Sequence, residues 1–297
     1  MNFKADLWRG RTTNNDFLST LKNIQAPFYD FYGFSTLLRA ATAFFQMPAK
    51  PGNLNPAHFL LNFFMNGKYR HEYKYVSPEI TLSVLESRAK CVLSLDSHAG
   101  ANGAYSIRSI YFDDIYNTCY HENEDGTDPR EKFRIRIYNC GTDRISLELK
   151  QKENSKTLKS SCMISKEDCG IIMDGGTPEI KDSSPYLMKK LVSKMQYSGL
   201  KPVCIVAYER VPYVYKIGNV RVTFDRNIRS SSDIKGFFSS STAFRPVLER
   251  NINMMEVKFD ELLPDYIASL LQTGLLRQTS FSKYFLCRKF NLKGTII

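Results

Sequence analysis

No part of the sequence stays apolar for the ~18 residues that a membrane-crossing helix needs. The best candidate, residues 34–47, is cut by Arg39. An apolar secretory core is missing as well, because Lys4, Asp6, Arg9 and Arg11 stand where it would begin. Histidine is scarce, and neither His71 nor His121 has a second histidine at ligand spacing. The seven cysteines (91, 119, 140, 162, 169, 204 and 287) are odd in number and form no CxxC pair. That argues against a zinc knuckle or a disulfide scaffold and predicts reduced thiols. There is no GxxxxGK[ST] loop, no kinase HRD or DFG set and no internal repeat. These absences predict a soluble, cytoplasmic chain without a transmembrane segment, although a membrane-bound partner stays compatible with it.

What is present is positive charge. Lys and Arg number 41 against 30 Asp and Glu, a net charge of +11 and a pI near 9.2. An excess of this size implies an anionic partner: nucleic acid, anionic lipid or a phosphate compound. With 297 residues, 43% of them hydrophobic, the chain has material for one large domain or two ordinary ones. Residues 1–64 are rich in aromatics, poor in charge and closed by a Pro/Gly/Asn stretch at 48–56. They are either a helical packing element or an upstream extension, with Met65 as the natural start. The expected division is thus 1–64, an extension of unknown role, and 65–297, the functional domain.

From Tyr69 the pattern becomes strands with interspersed helices. Strands are predicted at 70–76, 105–113, 131–138, 144–152, 157–164, 203–215, 220–225 and 253–259. Helices are predicted at 77–90 (Ser77 as N-cap), 115–122, from Ser165, at 187–196 and at 260–272, with Leu262 and Tyr266 on the buried side of the last. The serine-rich stretch 230–241 is expected to be a mobile loop. The fold class is α+β, dominated by antiparallel strands.

Charge alternates with grease on these strands. Lys132, Arg134 and Arg136 share one face, opposite Phe133, Ile135 and Ile137; Glu148, Lys150 and Lys152 oppose Leu147 and Leu149. Glu72 and Lys74, Arg221, and Glu256 and Lys258 repeat the motif. A half-buried sheet with a wet outer face would look like this on any one strand. Repeated on every strand, it favours a barrel with a charged lumen and helices packed outside. Such a lumen suits phosphoryl transfer, which needs positive charge around phosphate oxygens more than covalent help from protein. Arg134 and Arg136 present forked guanidiniums, Lys74, Lys150 and Lys283 point charges, and Glu256 and Glu72 hard oxygens for Mg2+ or Mn2+. The aromatics lie opposite the basic residues, which argues against nucleic acid.

At these residues the chain resembles a known family. RHEYKY (70–75), YSIRSIYFDD (105–114), KFRIRIY (132–138), LELKQK (147–152), VAYERVPY (206–213), VRVTFD (220–225), MEVKFD (255–260) and FSKY (281–284), in this order, resemble the VTC domain. That is the catalytic domain of vacuolar transporter chaperone polyphosphate polymerases, in the triphosphate tunnel metalloenzyme (CYTH-like) superfamily. The resemblance implies an eight-stranded antiparallel β-barrel with a basic lumen, and transfer of the terminal phosphate of ATP to a growing inorganic polyphosphate chain with Mn2+ or Mg2+. It further implies Lys74, Arg134, Arg136, Lys150, Arg221 and Lys283 as catalytic phosphate-path residues and Glu256 as metal ligand. Lys159, Arg210, Lys258 and Glu72 are the implied substrate neighbours. Simpler members of the superfamily begin with Glu-x-Glu-x-Lys, where this chain has Arg70 in the first acidic place. That exchange favours a longer polyanion, while a triphosphatase or polyphosphatase, or a non-catalytic polyphosphate- or inositol-phosphate-binding module, would use the same cradle.

Overall fold

The computed structural model describes residues 69–293 apart from 101, 273 and 275, so the reading of residues 1–64 lies outside the described residues. Period-two sequence gives eight long strands: β1 (His71–Pro78), β3 (Tyr105–Asp113), β4 (Arg130–Tyr138), β5 (Ser146–Glu153), β6 (Lys156–Met163), β7 (Lys201–Tyr215), β8 (Val220–Ser231) and β10 (Ile252–Phe259). They join in the antiparallel order β1-β10-β8-β7-β3-β4-β5-β6, with short β2 (Ser94–Leu95) on β7 and β9 (Arg245–Pro246) on β8. The sheet curls into a half-barrel with helices outside. Register shifts between Ala207 and Glu209 on β7, and between Tyr111 and Phe112 on β3, are bulges of the kind that bend and twist a strand.

The convex face is greasy. On one side Ile110, Ile135, Ile137, Leu147 and Leu149 pack with α3 (Lys166–Met173) and α4 (Tyr186–Ser198), through Ile172, Leu187 and Leu191. On the other, Val222, Phe224, Met255 and Val257 meet Leu82 and Leu85 of α1 (Glu79–Lys90) and Ile267 of α5 (Asp265–Leu270). Ser165 caps α3 as expected, accepting from the Asp168 amide at 3.0 Å. Ser77 instead belongs to β1, and Pro78 precedes α1 without a side-chain cap.

Three local expectations are corrected. The serine-rich stretch is held: Ile234–Phe238 form a 3-10 turn with Phe237 buried, and Arg108 donates to the carbonyls of Phe237 (3.0 Å) and Ser239 (2.5 Å). The helix expected at 260–272 starts only at Asp265, after Pro264, and leaves Leu262 68% exposed and Tyr266 49%. Lys283, outside every predicted strand and helix, opens α6 (Lys283–Lys293). Through Tyr284 and Cys287, α6 covers an apolar strip of Ile107, Val206, Tyr208 and Met254, so the concave face is charged on one half and sealed on the other. The remaining helix, α2 (Thr118–Glu124), is tied to the same region: Asp113 accepts from the Cys119 and Tyr120 amides at 2.8 and 3.1 Å and from the Tyr284 hydroxyl.

The two edges of the curled sheet barely meet. Arg70 and Thr157 exchange two backbone hydrogen bonds of 3.0 and 3.1 Å, close to the β5–β6 turn at Asn154–Ser155. Beyond that point Gln278 pairs with Tyr75, and Thr279 donates its amide to the Lys74 carbonyl at 2.9 Å. A segment just before α6 thus occupies the free edge of β1.

Candidate functional site

A cavity of about 540 Å3 occupies the charged half of the concave face. Its wall takes residues from β1, β3, β4, β5, β6, β7 and β10 and from the segment leading into α6. Eleven basic side chains line it against the acids Glu72, Glu124 and Glu256. Low-dielectric walls focus such an excess onto any anion entering.

Three carboxylates organise the cations. Glu148, 2% exposed, takes Arg134 at 2.6 and 2.7 Å, Lys159 at 3.3 Å and Arg136 at 3.9 Å. Burial raises its pKa, but the two arginines and Lys159 overcome this and hold the carboxyl well down. Asp225, fully buried, receives Arg210 through two bonds of 2.6 and 2.7 Å and Lys283 at 2.6 Å. It too stays ionised, because those partners outweigh its burial. The third, Glu72, holds Lys150 at 2.7 Å and Lys74 and Lys258 at 3.2 Å each. Burial drives the Lys150 ammonium down to about 7, in spite of Glu72, and Lys132 to about 8.

Ten of the eleven residues singled out from the sequence converge on this cavity: Glu72, Lys74, Arg134, Arg136, Lys150, Lys159, Arg210, Glu256, Lys258 and Lys283. Arg221 does not line it. It shares the register of Lys258, but its guanidinium turns to Asp96 at 2.8 Å and to the Tyr105 hydroxyl at 3.0 Å. Lys132 and Tyr208 do line it and were not singled out. Lys132 donates to Asn123 Oδ1 at 2.9 Å and lies 4.9 Å above the Tyr284 ring. Arg136 donates to the Tyr208 hydroxyl at 3.3 Å. Lys132 had a signal in the sequence, since it shares the face of Arg134 and Arg136; Tyr208 had none.

The donor set bears on a metal. Among the described residues no three His, Cys, Asp or Glu side chains converge to hold a cation. Glu256 Oε1 is nonetheless buried without a hydrogen-bond partner, although Lys258 Nζ makes an ion pair with it at 2.6 Å. Thr223, opposite Glu256 in register, also has a buried, unpartnered hydroxyl. A buried carboxylate that lines the cavity and pairs with Lys258 fits a hard cation that takes its other ligands from phosphate and water, as Mg2+ and Mn2+ do. It would not suit a cation requiring an all-protein cage.

The VTC domain profile matches residues 69–290. The chain belongs to the VTC domain family. No curated protein matches the sequence. Among solved structures this VTC domain is similar to a Bacillus halodurans protein assigned as an adenylate cyclase (16% identity over 69% of this chain and 87% of that chain, TM-score 0.42). It is also similar to a protein of Pyrococcus horikoshii (13%, 75% and 99%, TM-score 0.40) and to the Mimivirus capping enzyme triphosphatase (11%, 73% and 92%, TM-score 0.32). Membership of the VTC family supports a function in polyphosphate or triphosphate chemistry. Among the described residues, no helix is long and apolar enough to cross a membrane.

Proposed function

We propose that the chain is a divalent-metal-dependent phosphotransferase that moves the terminal phosphate of ATP onto a growing inorganic polyphosphate chain. The observation that carries this reading is the set of basic side chains, drawn from several strands and α6, that line one cavity. A single phosphate needs far fewer partners; a triphosphate beside a second polyanion can use this many. Arg134 and Arg136 would grip the non-bridging oxygens of the transferred group, and Lys74, Lys150, Lys258 and Lys283 the phosphates on either side. Their charge is fixed in place before reaction, so little reorganisation accompanies charge shift in the transition state. Glu256 would hold Mg2+ or Mn2+, which when bound neutralises and orients the triphosphate.

The deciding experiment is incubation with ATP and Mn2+ followed by gel analysis of the product. Chains that stain as polyphosphate are expected, together with ADP, and Glu256→Gln should lose the metal stimulation. Release of ADP and orthophosphate alone would identify a hydrolase, and anion binding without turnover a binding module.

Lysines whose pKa burial has lowered add a second expectation. A polyanion against Lys150 restores its full charge, so its pKa rises on binding. Binding must then take up protons between pH 7 and the ordinary lysine range, and affinity must fall as pH rises through that window. Calorimetry of tripolyphosphate binding at pH 8 in buffers of different ionisation enthalpy measures this uptake. Lys150→Met should lower it by about 0.9 proton, the fraction that a group of pKa about 7 lacks at that pH; unchanged uptake would contradict the assignment.

A further inference from the structure

The three organising carboxylates are not equivalent. Glu148 and Asp225 are sealed beneath the lining at 2% and 0% exposure, and neither faces the cavity. They are scaffold. Glu72 lines the cavity, and both of its oxygens are engaged: Oε2 by Lys150 and Lys74, Oε1 by Lys258. Lys74 shares β1 with it, and Lys258 faces it from β10 in direct register. Lys150 comes from β5, which is not a neighbour of β1 in the sheet. The Glu72–Lys150 pair therefore crosses the seam where the sheet edges β1 and β6 meet at Arg70 and Thr157. Glu256 differs again, since its Oε1 pairs with Lys258, its neighbour on β10, at 2.6 Å and not with Lys150.

We propose that Glu72 is an internal counter-ion, standing where a phosphate of the substrate comes to lie. Its single negative charge offsets part of the repulsion among three lysines, and an incoming anion must take them from it. The inference rests on the anion-binding reading of the cavity given above. It adds a threshold. Displacing Glu72 lowers the affinity of every anion by the same factor, which leaves ratios of affinity untouched but changes occupancy. Orthophosphate, with few contacts to offer, is kept out at concentrations where a polyanion reaching Arg134, Arg136 and Lys283 as well still binds.

The test is calorimetric titration of wild type and Glu72→Gln with inorganic tripolyphosphate and, separately, orthophosphate, in buffer stripped of divalent cations on a chelating resin. Removing one negative charge within hydrogen-bond reach of the bound phosphate should tighten both ligands by a similar factor, on the order of tenfold or more. Unchanged or weaker binding by Glu72→Gln overturns the proposal. No binding by either protein overturns it together with the anion-binding reading. Tighter binding by the variant, in a protein that makes no polymer from ATP, supports the counter-ion and refutes the polymerase. Should Glu72→Gln fail to fold, a crystal structure of wild type with tripolyphosphate decides. Lys150 on a phosphate oxygen and off Glu72 supports the proposal; Glu72 still holding all three lysines overturns it.

Discussion

Arg136→Ala is expected to lower the turnover of ATP-dependent chain growth by about 10²-fold or more, the usual loss when one preorganised charge aimed at a transition state is removed. Arg136 is a sharper probe than Arg134. Arg134 is locked to Glu148 at 2.6 and 2.7 Å, so its removal also takes the closest partner from a buried acid. Arg136 approaches Glu148 only to 3.9 Å and otherwise makes 3.3 Å hydrogen bonds to Ser109 Oγ and the Tyr208 hydroxyl. Its guanidinium is the less committed of the two. The thermal midpoint of Arg136→Ala should therefore shift much less than its turnover does. Arg136→Lys, which keeps charge but loses the planar fork, should fall between wild type and alanine. Near-normal rates in the alanine variant would refute the phosphate cradle.

The largest effect on stability is expected at Asp225. Its carboxylate is fully buried with Arg210 and Lys283 as partners, and neither cation has another carboxylate within ion-pair distance among the described residues. Asp225→Ala leaves both charges stranded, which costs about 3–5 kcal/mol for a buried pair broken on one side. Chemical denaturation measures it, and a loss below 1 kcal/mol would mean that water reaches the site. The pH dependence has a definite sign. The folded-state pKa of Asp225 is depressed, so its contribution is present above the ordinary carboxylate range and lost as pH falls towards the folded value. The acid-induced loss of stability seen in wild type should accordingly be shallower in Asp225→Ala.

Much of the architecture was legible because strand alternation is a rigid code. Once 132–138 and 147–152 are strands, Arg134, Arg136 and Lys150 must share a side. Alternation gives the face of a residue but not the way a long side chain turns. Arg221 shows the difference: it lies on the expected strand, in register with the cavity-lining Lys258, yet Asp96 claims its guanidinium. The roles of Glu148 and Asp225 were hidden for another reason. A buried acid is defined by the cations that close on it, and for Asp225 these come from 15 residues before and, across the chain, from α6. The start of α6 was missed because its first residues pack on an apolar strip inside the curve, where no amphipathic stripe is required. The serine-rich stretch misled through composition alone, since Arg108, more than a hundred residues earlier, is what holds it.

The join between the two sheet edges has a topological consequence. A cylinder of continuous strands lets a long thread out only through its ends. Here the wall is slit: beyond Arg70 the edge of β1 pairs with a short patch at Gln278 and Thr279 rather than with a ladder of β6. Parting that patch would leave every long strand pairing intact, so a thread held in the bore would have a route out along the β1 edge as well as from its tip.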